Sequence, residues 1–589
     1  MARLFVPLSQ TFQVDSPTHT FIHGHRGCGK SMTLRRLAPD CKTKELNCSV
    51  GDLPYLALYA TVKSTDLDAI EFGRIAEQHA GLVLAEHSLC LFVASKALQS
   101  LRDHTGESLN GTATQATICD VVNKHVIELF RRKGVRLPPL PGQDDALVVG
   151  IDAIDTAYTD TIEFLRRISL RTEYLQFEGA VVGYRDFLFP LLLALRDRLL
   201  VSAGRPLFVI LDDADNLNLL QTKVLNTWVS YRTHDRVAFK ISTQMAYKTY
   251  LTTTSQRIQS PHDFTSINIS SFFTGSRATS DYPKWVAEIV EKRLAGIGLT
   301  VSARDFFTVD ARQEKSINDI AQKYRDQWKD SGTGYRANDD AYRYARPDFI
   351  KSLGGSAKKS HGYSYSGFDQ LVHLSSGIIR YFLDDAAAMY AVEFNRLISQ
   401  GNTDNVVIHQ IPPTVQNAIA RDSSDYLLIE ELEQLHADVG LVGRESAETF
   451  DRKQYRLLRN LINTLGGVFY EILISDRSER RVFSIALSDE PPDEIMSVLK
   501  LGVIHGYLYE GYIGSKDGRS RTKRFVLTRR LAPAFKLDPT GFSGYLFVTT
   551  AFLALAMANP AATVRDFREN RLGSAANADQ LAEQLGLDI

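Results

Sequence analysis

The stretch FIHGHRGCGKSMTLRRLAP, residues 21–39, constrains the fold of this chain more than any other. Gly24, Gly29, Lys30 and Ser31 satisfy the spacing G-x-x-x-x-G-K-S/T, with apolar Phe21 and Ile22 ahead of it and a helix-compatible run behind it. A strand, a glycine loop and a helix in that order predict a phosphate cradle. Glycine lets backbone N–H groups turn toward an anion, the helix beginning near Lys30 contributes the positive end of its dipole, and the Lys30 ammonium reaches the outer phosphates. Gly24, Arg26, Gly27, Cys28, Gly29, Lys30, Ser31 and Met32 form the expected nucleotide-binding set, and the Ser31 hydroxyl has the place of a Mg2+ ligand. The alternative is a glycine-rich turn carrying a surface lysine.

A phosphate loop needs a sheet, and the chain supplies candidate strands in order. LPYLALYATV, residues 53–62, reads as a second strand. RPLFVILDDADNL, residues 205–217, is more telling, because the apolar run from Leu207 to Leu211 ends in Asp212 and Asp213. Buried parallel strands read as such runs, and ligands gather at their carboxyl ends. Paired with the phosphate loop, this is a Walker B segment. Asp212 is expected to hold Mg2+ through water, and Asp213 to orient or deprotonate the attacking water.

Composition narrows the class without choosing a function. The 589 residues are 44% hydrophobic, enough for about three or four globular domains. A formal net charge of -1 gives no global attraction to nucleic acid, so any such contact must rest on a local basic patch. The five cysteines, Cys28, Cys41, Cys48, Cys90 and Cys119, lack the spacing of a zinc site and read as reduced thiols. The opening MARLFVPLSQTFQVD lacks the pattern of a signal peptide, and a cytoplasmic place is expected. FSGYLFVTTAFLALAMANP, residues 542–560, is the longest apolar run; it falls short of the about 20 residues of a spanning helix and reads as a buried helix, so no membrane contact is expected.

Two further strands follow the Walker B segment, in RVAFKISTQ (residues 236–244) and HDFTSINIS (residues 262–270), with Arg257 shortly before the second. At this point the chain resembles the AAA+ ATPases. Ser242 and Thr243 match the polar sensor of the fourth strand, and Arg257 with Ile258 resembles the arginine-finger box, in which an arginine faces a neighbouring subunit's nucleotide. The other reading of Arg257 is a surface arginine in a loop.

In GFDQLVHLSSGIIRYFLDDAAAMYAVEF, residues 367–394, a turn at Ser375, Ser376 and Gly377 precedes Arg380 on the first turn of an amphipathic helix. This resembles the second sensor of the origin-recognition clade of AAA+ proteins. It is less similar to the signal-transduction (STAND) ATPases, since Ile379 stands where those show proline. Without that role, Arg380 pairs with Asp384 at i+4. Two departures from the simplest AAA+ layout are visible. Residues 64–200 read as a large helical insertion, with a loop around RLPPLPGQDD, and Asp213 replaces the glutamate common in such enzymes, which implies slow hydrolysis.

After IPPTVQ, residues 411–416, which reads as a linker, the chain reads as helix, β-hairpin, helix and second hairpin, the pattern of a winged helix. The second hairpin carries Lys516, Arg519, Arg521, Lys523 and Arg524, with Arg529 and Arg530 beyond, a density suited to phosphate neutralisation. The expected fold is therefore an α/β P-loop NTPase of AAA+ type with a parallel sheet. Its core spans residues 1–275, a helical lid 276–410, a winged-helix-like domain 411–540 and a helical tail 541–589. The resemblance implies an ATP- and Mg2+-dependent ATPase that self-assembles and contacts duplex DNA through the basic wing at residues 516–530, with an effector protein encoded nearby and a place in antiphage defence or mobile elements. Two other readings stay open: a nucleotide-dependent scaffold whose winged helix holds protein, and a transposition-type ATPase that polymerises on DNA.

Overall fold

The computed structural model describes residues 5–6, 11–63, 80–105, 112–135, 146–170, 177, 179–199, 204–233, 235–245, 247–270, 281–331, 337–354, 362–400, 406–438, 451–475, 480–514, 521–540 and 544–569. The chain divides into two compact units, Met1–Ser271 and Phe272–Ile589.

Five strands build the sheet of the first unit: β1 (Thr20–His23), β2 (Leu56–Thr61), β3 (Leu207–Asp212), β4 (Val237–Thr243) and β5 (Thr265–Asn268). Their order is β2-β3-β4-β1-β5, and every neighbouring pair is parallel. Both β3 and β4 are buried along their whole length, which is why they are apolar without alternation. Because β4 lies between β1 and β3, the loops leaving the carboxyl ends of these three strands emerge side by side. That placement, and no local signal, brings the glycine loop and the two aspartates to one edge.

The helical insertion lies between β2 and β3, with helices Ala80–Thr105, Thr112–Val122, Ala146–Leu170 and Phe189–Leu199. The expected helix before residue 80 and the loop around RLPPLPGQDD lie outside the described residues. Helix Ala80–Thr105 packs against helix Ala146–Leu170 and against β2, the edge strand of the sheet. An edge strand leaves alternate N–H groups unpaired, and here the Tyr59 N–H donates to Ser100 Oγ of that helix at 2.8 Å. The insertion shares one apolar core with the sheet, joining Leu89, Leu98 and Ile154 to Leu207, Val209 and Phe239.

In the second unit, helices Asp281–Gly296, Ala311–Ser331, Ala337–Ser352 and Ile379–Ser399 precede a four-stranded sheet of order β7-β8-β6-β9. Its strands are β6 (Val482–Leu487), β7 (Leu508–Gly514), β8 (Arg521–Leu527) and β9 (Gly544–Val548). β7 and β8 form the expected second hairpin. Three local expectations change. What reads as a first hairpin is the end of a long helix, Arg452–Ile474, followed by the single strand β6, because the capping box of Asp451 and Gln454 starts a helix whose apolar face continues through Phe469 and Leu473. The apolar run 542–560 is not one helix: β9 pairs parallel with β6 before helix Thr550–Ala558 begins, and Thr549 caps that helix by accepting the Phe552 N–H. Nor is IPPTVQ a loose connection, since Ile411 bridges Phe307 and buried Gln416 accepts the Gly367 N–H at 2.8 Å.

Two helical stretches, Gly81–Asp103 and Arg452–Ile474, are long and apolar enough to cross a membrane by length and composition; 78% and 61% of their apolar windows are buried inside the protein.

Candidate functional site

The glycine loop follows β1 and closes on itself. Gly27 and Gly29 have φ of 83° and 102°, a region that costs side-chain-bearing residues strain, and Gly29 caps the helix Lys30–Arg35. A Cβ on Gly24 would stand 2.5 Å from Cys28 Sγ, so a side chain there would force Cys28 to move. Lys30 is buried and turns its ammonium back along the loop, donating to the carbonyls of Gly24 at 2.7 Å and His25 at 3.1 Å. Carbonyl partners leave the positive charge uncancelled at the mouth of the loop. Its field, acting behind the larger effect of burial, pushes the His23 and His25 imidazoles down to about 4, so both are neutral near pH 7. Burial pushes the Cys28 thiol up, which keeps it protonated and inert. Arg26 and Ser31 are exposed, and Met32 is half-buried.

Across β4, Asp212 ends β3 almost fully buried. The Ser242 hydroxyl donates to its Oδ1 and the Tyr59 hydroxyl to its Oδ2. Ser242 Oγ also accepts the Asp213 N–H at 2.8 Å, so one serine on β4 fixes both acidic residues. Asp213 takes the left-handed conformation, φ 58°, and leads into a turn from which the Asn216 amide donates at 2.8 Å to the carbonyl of Val62, the residue after β2. Burial first, then the nearby charges of Asp212 and Asp215, raise the Asp213 carboxyl above its usual range. Gln244 holds Asp215 at 2.7 Å, and helix Leu219–Ser230 starts on a reciprocal cap between Asn218 and Gln221.

Thr243 is also buried at the end of β4, opposite His23, but its hydroxyl donates to the Gln244 carbonyl; Ser242 is the residue that touches Asp212. Arg257 sits on a tight hairpin closed by the Leu251 bridge, exposed, with its guanidinium 5.5 Å from the centre of the Tyr250 ring. Tyr250 Oη in turn lies 3.3 Å from His23 Nε2. Arg380 belongs to the second unit, where Ser376 and Gly377, both at positive φ, turn the chain into helix Ile379–Ser399. It is exposed there, and among the described residues it forms no ion pair with Asp384.

A family model described as ORC-CDC6-like matches residues 1–547. The chain belongs to the ORC-CDC6-like family. No curated protein matches it significantly. Membership in the ORC-CDC6-like family implies a nucleotide-dependent AAA+ core, with ATP binding and use of Mg2+. The residues present fit a divalent cation. Asp212 is a buried carboxylate held only by hydroxyls, with no ion pair among the described residues, and a buried charge of that kind calls for a counter-ion. Ser31 offers a hydroxyl without a hydrogen-bond partner among the described residues. Among the described residues no group of three or more His, Cys, Asp or Glu is placed to hold a metal ion by itself.

The basic hairpin of this ORC-CDC6-like chain is less uniform than its sequence. Lys516 and Arg519 lie outside the described residues. Arg521 is exposed and Lys523 half-buried, but Arg529 is buried over the Phe483 ring at 5.2 Å, and burial pushes its guanidinium down to about 10. Its backbone N–H donates to Ser376 Oγ at 2.7 Å. Arg530 stacks on Tyr381 at 4.1 Å. Arg529 therefore belongs to the packing of the second unit and leaves the expected basic wing, because a strand exit into a buried turn takes its side chain inward.

Sequence reasoning passed over Tyr59, Ser100 and Gln244. A signal existed for Tyr59: its hydroxyl, with that of Thr61, interrupts an apolar strand toward its carboxyl end. Its meaning required the neighbouring strand.

Proposed function

We propose that this chain is a slowly hydrolysing AAA+ ATPase that works as a nucleotide-dependent switch. The observation that carries the reading is Ser242, which ties Asp212 and the Asp213 backbone together on the strand next to the glycine loop. In this reading Gly24, Arg26, Gly27, Cys28, Gly29, Lys30, Ser31 and Met32 cradle the phosphates. Bound Mg2+ would be held by Ser31 and Asp212 and supply charge neutralisation for phosphoryl transfer. Asp213 orients the attacking water and accepts its proton, a role helped by its raised carboxyl pKa. Its short arm in a left-handed turn limits reach, which supports slow turnover.

Self-assembly and duplex DNA contact are further parts of the proposal. Arg257, exposed on its hairpin, is the finger offered to a neighbouring copy, and Arg380 is the second sensor of a lid at residues 276–410. Residues 411–540 act as the winged-helix-like part, with Arg521 and Lys523 meeting phosphates. One observation favours the scaffold alternative: the exposed positions of helix Asp493–Ile504, ahead of the hairpin, include Asp493 and Glu494 against the single cation Lys500. Steady-state ATP hydrolysis by the full chain, with and without duplex DNA, tests the reading. Hydrolysis stimulated by duplex supports the DNA-linked switch. Hydrolysis indifferent to duplex supports the scaffold, and no ATP binding at all would overturn both.

A further inference from the structure

We infer that Tyr59 is a positioning residue for the metal: its hydroxyl, acting with that of Ser242, holds the Asp212 carboxylate in the orientation from which it receives Mg2+. The inference rests on the nucleotide-site reading above and extends it to a strand that the reading does not use.

A carboxylate offers about four lone-pair positions on its two oxygens. Ser242 occupies one on Oδ1 and Tyr59 one on Oδ2, which fixes the plane of the group and leaves a position on each oxygen for water bound to a cation. Tyr59 is held at its own backbone, since its N–H donates to Ser100 Oγ of helix Ala80–Thr105, the first described helix of the insertion. Side chain and backbone of one residue thus join the insertion to the candidate metal ligand. Groups in this outer position commonly change metal affinity by about 10- to 100-fold when removed.

The test is Mn2+ binding to the full chain in the presence of ADP, followed by the electron paramagnetic resonance signal of free Mn2+, a readout that needs no turnover. Tyr59→Phe keeps the ring and removes only the hydroxyl. It is expected to weaken Mn2+ binding about tenfold while ADP affinity in EDTA and the thermal midpoint without nucleotide stay as in the wild type. Mn2+ affinity of Tyr59→Phe within twofold of the wild type overturns the inference. So does tighter binding, which would make the hydroxyl a competitor of the metal. Asp212→Asn is the control for the site itself. If that variant also binds Mn2+ normally, the nucleotide-site reading fails; if it loses Mn2+ while Tyr59→Phe does not, only the role of Tyr59 falls.

Discussion

The carboxyl edge of the first sheet and the hairpin of the second both carry dense charge, yet they dispose of it in opposite ways. At the first, Lys30 is satisfied by carbonyls and Asp212 by hydroxyls, so each keeps its charge for something outside the chain. At the second, cations that are neighbours in sequence part company. Lys523 pairs across β7 with Tyr512 and Arg524 with Gly511, and consecutive strand residues face opposite sides of a sheet. Arg524 is half-buried, its guanidinium pushed down by burial, and Arg529 is buried outright. Parallel strands collect their loops at one end and so can converge charge from distant segments, whereas a hairpin divides a charged run between two faces. A run of basic residues on a strand is thus worth about half its count to any one partner.

That contrast can be broken at several points. The largest effect is expected from Lys30→Ala, which removes the ammonium held in the loop. With about two charged hydrogen bonds to phosphate lost, ATP affinity in a direct nucleotide titration should fall about 1,000-fold. Unchanged affinity would mean that the charge is not reserved for a ligand.

Asp213→Asn should leave Mg-ATP binding intact and slow single-turnover hydrolysis about 100-fold, because Ser242 still fixes Asp212 while the water loses its proton acceptor. Full turnover in that variant would make Asp213 a bystander at the edge.

The hairpin is sharpened by separating its faces. Replacing Arg521 and Lys523 by alanine should make the slope of log duplex affinity against log salt shallower by about 1.8, from about 0.9 per phosphate contact. Arg524→Ala should leave the slope unchanged, since its side chain lies on the other face over Gly511. Equal effects from the two faces would count against the division, and no duplex affinity in any form would favour the scaffold.

The smallest effect concerns pH. In the insertion, His87 Nδ1 accepts the Val182 N–H at 3.1 Å and Nε2 lies 3.1 Å from Thr161 Oγ1, so the ring is built to be neutral, and burial first of all pushes it down to about 4. An unfolded histidine titrates near 6.5 and therefore binds a proton that the folded one refuses between about pH 6.5 and 4. Stability should fall as pH drops through that window. Urea unfolding of His87→Gln at several pH values should give a shallower fall than the wild type, and an identical slope would show that His87 takes no part.

Much of the first unit was legible in residue order. The glycine loop, the apolar run ending in two aspartates and the polar tip of β4 are local patterns, because a turn at positive φ and a strand buried on both faces each demand particular residue types over a few positions. The second unit was less so. β9 hides in the apolar run 542–560 because periodicity cannot separate a short buried strand from the helix behind it, and the long helix Arg452–Ile474 keeps an apolar face where β-branched and aromatic residues resemble a strand.

What the sequence determined by itself is chemistry tied to short spacing: glycines at 24 and 29, a lysine one residue after Gly29, two acids at the end of an apolar run. Which of these meet was decided by the sheet. Ser242 reaches Asp212 across 30 positions and Tyr59 reaches it across 153, contacts that exist only because β4 lies beside β3 on one flank and β2 on the other. The same holds for Arg529, whose sequence neighbours make it part of a basic run and whose tertiary neighbours, Phe483 and Ser376, bury it. Hydrogen bonds and burial depend on separation in space, and strand pairing sets that separation independently of distance along the chain.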